Sequence, residues 1–163
     1  MPRIWKFGSD VDTDQIVPGR YAPYMTSEAE LGRYPFIEAR PEFAQEVRPG
    51  DLIVAGRNFG CGSSREYAPK ALKVVGVGAI LAQSFARIFF RNALNMGLPV
   101  LEAPWTDEVL DGEEATLDME AGRLVTARGV YTFAPPPAFV RELQAEGGIV
   151  SYYRKHGRFP GEE

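Results

Sequence analysis

Leu52-Ile53-Val54-Ala55-Gly56 leads through Gly60-Cys61-Gly62-Ser63-Ser64-Arg65-Glu66 into a helix-like pattern from Tyr67 to Val75. An apolar run, a glycine turn and a helix in that order read as one strand–turn–helix unit. The two glycines let the backbone turn sharply and approach a ligand closely. Ser63, with Glu66 three residues on, has capping-box spacing, which predicts a helix start at this point. A helix start offers free N–H groups and the positive end of the dipole to an anion. Arg65 adds a planar fork that matches a carboxylate. A cation in a first helical turn opposes the dipole unless an anion is present. The stretch therefore reads either as a carboxylate site beside two hydroxyls or as a capped helix without a ligand.

Downstream, residues 79–82 form a second short apolar strand, and Ser84 is placed to cap a helix over 85–96 that stops at Gly97. Residues 99–101 begin a third strand of the same kind. Strand, helix, strand, helix, strand with short connections predicts a parallel sheet. Ligands of such sheets bind at the carboxyl ends of the strands, where 60–66 would lie. Upstream, 3–7 alternates as a half-buried strand does, and 10–24 reads as a loop centred on Asp12-Thr13-Asp14. Short helical turns fit 28–31 and 41–47, and Arg48-Pro49-Gly50-Asp51 is a tight turn into the strand at 52.

Beyond Pro104, the β-prone runs 115–119, 123–127 and 130–133, separated by Gly122 and Gly129, predict a meander. Three prolines at 135–137 precede a helix over 138–145, and 149–153 forms a last helical turn or two. The expected fold class is α/β, one domain over 1–163, with a mostly parallel sheet flanked by helices plus a small β meander.

Composition narrows the function classes. A net charge of −4 without a dense basic cluster gives no footprint for nucleic acid. No apolar run reaches the length of a membrane span and the N-terminus has no signal-peptide pattern, so a soluble cytoplasmic protein is expected. One cysteine excludes an intrachain disulfide and an all-internal cysteine metal site. The lone His156 excludes a histidine cluster, so no metal site is expected on this chain.

Gly60-x-Gly62 does not complete a dinucleotide fingerprint, because Arg65 stands where a small third residue is needed. A phosphate loop fails for want of Gly-Lys-Ser/Thr. Ser63 and Ser64 have no histidine near them in the sequence to act as a base, and a hydroxyl acting alone is poorly matched to neutral pH. The site reads as half of something. Asp10, Asp12 and Asp14 lack the glycine and terminal glutamate of an EF-hand, so one of them orients an arginine or receives a helix end, or all lie in a solvated turn. Arg87 and Arg91, one turn apart beside Phe85, Ile88 and Phe89, form a solvated edge or contact another chain. Cys61 reads as structural.

Four segments carry a family resemblance. Asn58-Phe59-Gly60-Cys61-Gly62-Ser63-Ser64-Arg65-Glu66 resembles the signature of the aconitase superfamily's swivelling domain. Asp12-Thr13-Asp14-Gln15-Ile16 with Pro18-Gly19-Arg20-Tyr21 resembles its N-terminal motif, and Ser84-Phe85-Ala86-Arg87-Ile88-Phe89-Phe90-Arg91-Asn92 through Gly97 its following helix. Gly147-Gly148-Ile149 is similar to the tail of the free-standing small subunits. The resemblance implies a swivelling β/β/α domain that pairs with a larger chain holding an iron–sulfur (4Fe–4S) cluster, with no cofactor on this chain. It implies reversible dehydration of a malate-type di- or tricarboxylic acid: isopropylmalate, in leucine biosynthesis, or homoaconitate, in lysine biosynthesis.

By the same resemblance Ser63 is the catalytic base and Asp14 an acidic neighbour that orients an arginine. Gly62, Ser64 and Arg65 then bind the substrate carboxylate. The loop with Tyr21, Tyr24, Met25 and Thr26 meets the variable part of the substrate. The chain departs from the family at Tyr67, where histidine is common, and in this loop, which has neither a clean apolar pattern nor an arginine; the nearest following cation is Arg33. Both substrates stay open on the sequence. A reading from another class, a carboxylate-binding module without catalysis, keeps the scaffold but needs no partner.

Overall fold

Strands β1 (Ile4–Lys6), β2 (Leu52–Ala55), β3 (Ala79–Ala82) and β4 (Val100–Glu102) lie side by side in chain order, every neighbouring pair parallel. The computed structural model describes residues 1–160. Every residue of β2 and β3 is buried, which is why these strands are continuously apolar rather than alternating. Their two faces nevertheless serve different cores. Trp5, Ile53, Ile80 and Val100 pack on the helices, with Leu72, Phe89 and Ala93. Ile4, Leu52, Val54 and Leu81 pack on a second sheet, with Ala115, Leu124 and Phe133.

That second sheet is the antiparallel meander β5 (Ala115–Asp118), β6 (Arg123–Thr126) and β7 (Gly129–Thr132). It covers the parallel sheet with one face and shows Val125 and Val130 to solvent with the other. The helical layer comprises α2 (Glu28–Leu31), α4 (Tyr67–Val74), α5 (Arg87–Asn95) and α6 (Ala138–Ala145). Antiparallel sheet, parallel sheet and helices form three layers, the β/β/α order the resemblance implies. A sheet built in chain order by same-handed crossovers puts its connecting helices on one face and leaves the other for the meander.

Three local expectations change. Residues 10–24 are not a loop: they hold helix α1 (Thr13–Ile16) and a 3₁₀ turn, Gly19–Tyr24. Asp12 makes the first possible, its carboxylate accepting from Gln15 N at 2.7 Å while Gln15 Oε1 accepts from Asp12 N at 2.9 Å. This is a reciprocal capping box built on Asp and Gln. Helix α3 (Glu42–Glu46) starts just after Pro41. The last helix, α7 (Ile149–His156), runs past 153, because Arg154, Lys155 and His156 suit the negative end of its dipole and Gly157, at φ +68°, closes it. Among the described residues no helix is long and apolar enough to cross a membrane.

Candidate functional site

The segments leaving the carboxyl ends of β1, β2 and β3 are tied to one another by backbone hydrogen bonds. Gly60 N donates to Val11 O at 2.7 Å and Thr13 N to Cys61 O at 2.8 Å, joining the first to the second. Phe59 N donates to Ser84 O at 3.1 Å and Ala86 N to Phe59 O at 2.9 Å, joining the second to the third. The Thr13 hydroxyl donates to the Ser63 carbonyl at 2.9 Å, fixing the backbone that carries the first serine. Three sequence motifs far apart in the chain thus meet on one edge of the parallel sheet.

They enclose a cleft of about 270 Å³ lined by Thr13, Gly62, Ser63, Ser64, Arg65 and the start of α5. Ser63 and Ser64 are exposed, and neither hydroxyl has a hydrogen-bond partner among the described residues. Arg65 is held: its Nη1 pairs with Asp14 Oδ1 at 2.7 Å and donates to the Tyr67 hydroxyl at 2.7 Å. Gly19 lies against the guanidinium so closely that a Cβ there would overlap it. The cleft can therefore receive an anion between a fixed cation and two free hydroxyls.

The helix start that faces this cleft is not the expected one. Ser63 and Glu66 form no capping box; α4 begins at Tyr67 with no side-chain cap. Pro69 explains the shift. In a helix capped by Ser63 it would sit in the interior, where its ring clashes with a carbonyl four residues back; from Tyr67 it falls in the first turn, where a missing N–H costs nothing. Ser84 does not cap α5 either, because its Oγ accepts from Asn58 N at 2.8 Å and Phe85 bridges to Phe59. The first turn of α5, from Arg87, has no side-chain cap, and its residues 87–89 line the cleft. Arg65 accordingly lies outside any first helical turn, and its counter-charge is Asp14 of the same chain.

The remaining candidates fall around this centre. Asp14 and Tyr67 reach the cleft only through Arg65. Tyr21 stacks on Tyr34 with ring centroids 4.9 Å apart, Met25 packs on the helix-side core, and Tyr24, 61% exposed, and Thr26 face outward. None of these four lines the cleft. Arg87 lines it and is exposed, as are Ile88 and Arg91 on the same helix. Cys61 is half buried, and burial first, then Asp12 and Asp10, pushes its thiol above the ordinary value, which disfavours the thiolate. His156 sits on α7, 3.7 Å from Glu146 Oε1 and stacked near Tyr152, and does not line the cleft. Sequence reasoning missed Thr13 and Gly19 as site supports and read Tyr67 only as a departure. Those contacts are tertiary: Thr13 and Gly19 stand inside the quoted N-terminal motif, but nothing in the sequence names the partners they meet.

Comparison with known proteins gives consistent matches. The aconitase C-terminal domain family matches residues 10–105. A 3-isopropylmalate dehydratase small subunit 1 of Deinococcus radiodurans is 53% identical over 163 residues, spanning 100% of this chain and 92% of its own length. A homoaconitase small subunit of Thermus thermophilus is 54% identical over 163 residues, 99% of this chain and 100% of its own. The crystal structure of a 3-isopropylmalate dehydratase from Methanocaldococcus jannaschii superposes with a TM-score of 0.88 at 42% identity, covering 96% of this chain and 93% of that one.

Proposed function

The chain belongs to the aconitase C-terminal domain family, and on that premise we propose that it is the small subunit of a two-chain hydro-lyase that interconverts 2- and 3-isopropylmalate, a step of leucine biosynthesis. The observation that carries this reading is the half-built cleft. Two free hydroxyls and an oriented arginine converge on it, while the only histidine lies elsewhere.

Ser63 takes the proton from the carbon next to a substrate carboxylate, and that C–H bond becomes the carbon–carbon double bond as hydroxyl leaves the neighbouring carbon. Water adds back with the opposite placement of proton and hydroxyl. Arg65, Ser64 and the N–H of Gly62 bind the carboxylate, and Arg65 stabilises the charge that spreads onto it as the proton departs. Asp14 keeps Arg65 in place. A serine hydroxyl is a weak base, so this charge stabilisation must be large for the step to run at neutral pH.

Loss of the hydroxyl falls to groups that this chain does not carry. Its single cysteine cannot supply the ligands of an iron–sulfur cluster, and among the described residues no three His, Cys, Asp or Glu side chains gather to hold a metal. We place the cluster on a large-subunit partner, which would close over the cleft near the exposed Ile88.

Homoaconitate is the second reading, favoured by the near-equal identity to the Thermus thermophilus homoaconitase small subunit. In the loop itself Tyr24 offers an apolar surface, whereas Arg33, 3.6 Å from Glu30, is the nearest following cation. Reconstitution tests both. The chain alone is expected to be inactive; mixed with a cluster-loaded large subunit, it is expected to hydrate isopropylmaleate in preference to homoaconitate. A reversed preference would move the assignment to the second acid. No activity with either acid, together with tight carboxylate binding by the chain alone, would make it a binding module.

A further inference from the structure

Arg65 presents five N–H donors on three nitrogens, and the protein has already engaged one of those nitrogens. Nη1 faces Asp14 at 2.7 Å and donates to the Tyr67 hydroxyl at 2.7 Å, with the Tyr67 ring centroid 5.9 Å from Cζ. Gly19 backs the guanidinium so closely that a Cβ there would overlap Nη1 and displace it. Among the described residues Nε and Nη2 have no hydrogen-bond partner. A guanidinium offers a carboxylate two bidentate edges: the end, through Nη1 and Nη2, and the side, through Nε and Nη2. The end-on edge contains the engaged nitrogen; the side-on edge does not.

We infer that Tyr67 and Gly19 are positioning residues for Arg65, and that with Asp14 they reserve its side-on edge, Nε and Nη2, for the substrate carboxylate. This rests on the carboxylate role given to Arg65 above. Asp14 supplies charge but is largely exposed, so alone it would leave the fork free to swing. The Tyr67 hydroxyl supplies a second fixed acceptor, and the bare backbone of Gly19 supplies the floor. Tyr67 touches no reacting atom. Because Arg65 both holds the carboxylate and stabilises its developing charge, removal of Tyr67 should lower kcat/KM while leaving the fold intact.

The test uses the reconstituted two-chain enzyme with 3-isopropylmalate as probe. Tyr67→Phe is expected to lower kcat/KM roughly tenfold, the loss of one hydrogen bond to a charged group. Because Tyr67 acts through Arg65, adding the same change to an Arg65→Lys subunit is expected to move kcat/KM by less than about twofold. An undiminished tenfold effect in the Arg65→Lys background, or no effect in the wild type, overturns the inference. A second measurement stands apart from the reaction. In ¹⁵N NMR spectra of this chain alone, Arg65 is expected to show hindered guanidinium rotation that Tyr67→Phe abolishes at an unchanged melting temperature. Equal hindrance in both proteins would refute the positioning role, whereas failure of the wild-type enzyme to turn over 3-isopropylmalate would count only against the proposed function.

Discussion

Gly60 takes φ +85°, and a Cβ built there would run into the Phe89 ring of α5. Both facts come from one arrangement: the segment after β2 crosses directly over the first turn of α5, with Phe59 and Phe89 stacked edge to face, their centroids 5.3 Å apart. Gly60→Ala is expected to destabilise the fold by about 2–4 kcal/mol, combining a left-handed backbone with a steric overlap in a packed core. Urea denaturation checks this: the midpoint falls with an unchanged slope, and an unshifted midpoint would mean that this contact is not rigid. At this scale the sequence was partly legible. Gly62, Ser63, Ser64 and Arg65 could be read from one stretch because they are contiguous and chemically marked. Tyr67 and Thr13 could not, because what matters is the partner each meets across the fold.

Between elements, the turn into β2 shows how the end of the sheet opposite the cleft is anchored. Asp51 is buried and accepts from Arg3 N, Arg48 N and Trp5 Nε1, each at 3.0 Å, which ties β1 to β2 at their starts. Burial alone would raise its pKa. The three donated hydrogen bonds and the nearby Arg3 guanidinium outweigh burial and hold it below the ordinary carboxylate value. A carboxylate depressed by folding stabilises the native state above its unfolded value, and that contribution is lost as pH falls through the folded value. Asp51→Asn is therefore expected to cost about 1–3 kcal/mol at neutral pH and progressively less below about pH 4. Thermal melts of the two proteins across pH 2–7 check it, and a pH-independent gap would contradict the linkage. The strands were legible because buried parallel strands are written as unbroken apolar runs. The expected helix starts at Ser63 and Ser84 do not form because Ser63 lies in a bend tied to Thr13 and Ser84 Oγ accepts from Asn58 N, while Pro69 needs a place in a first helical turn.

For the whole molecule, chain-order pairing of the four parallel strands sends three successive loops to one sheet edge and leaves the opposite face for the meander. The parallel sheet and the meander could be read from periodicity and turn residues. The stacking of one sheet on the other came only from the family resemblance, since no local pattern says which face a meander covers. The edge so built holds a fixed cation and free hydroxyls facing outward, which is the form expected of a site completed by a second chain. The most direct measurement of that idea is the turnover of 3-isopropylmalate by a cluster-loaded large subunit titrated with wild-type or Ser63→Ala chain. The expected result is saturation at the same subunit ratio for both, with kcat of the variant lower by roughly 10²- to 10⁴-fold. Normal turnover by the Ser63→Ala subunit would contradict the assignment of Ser63 as the base that this chain contributes.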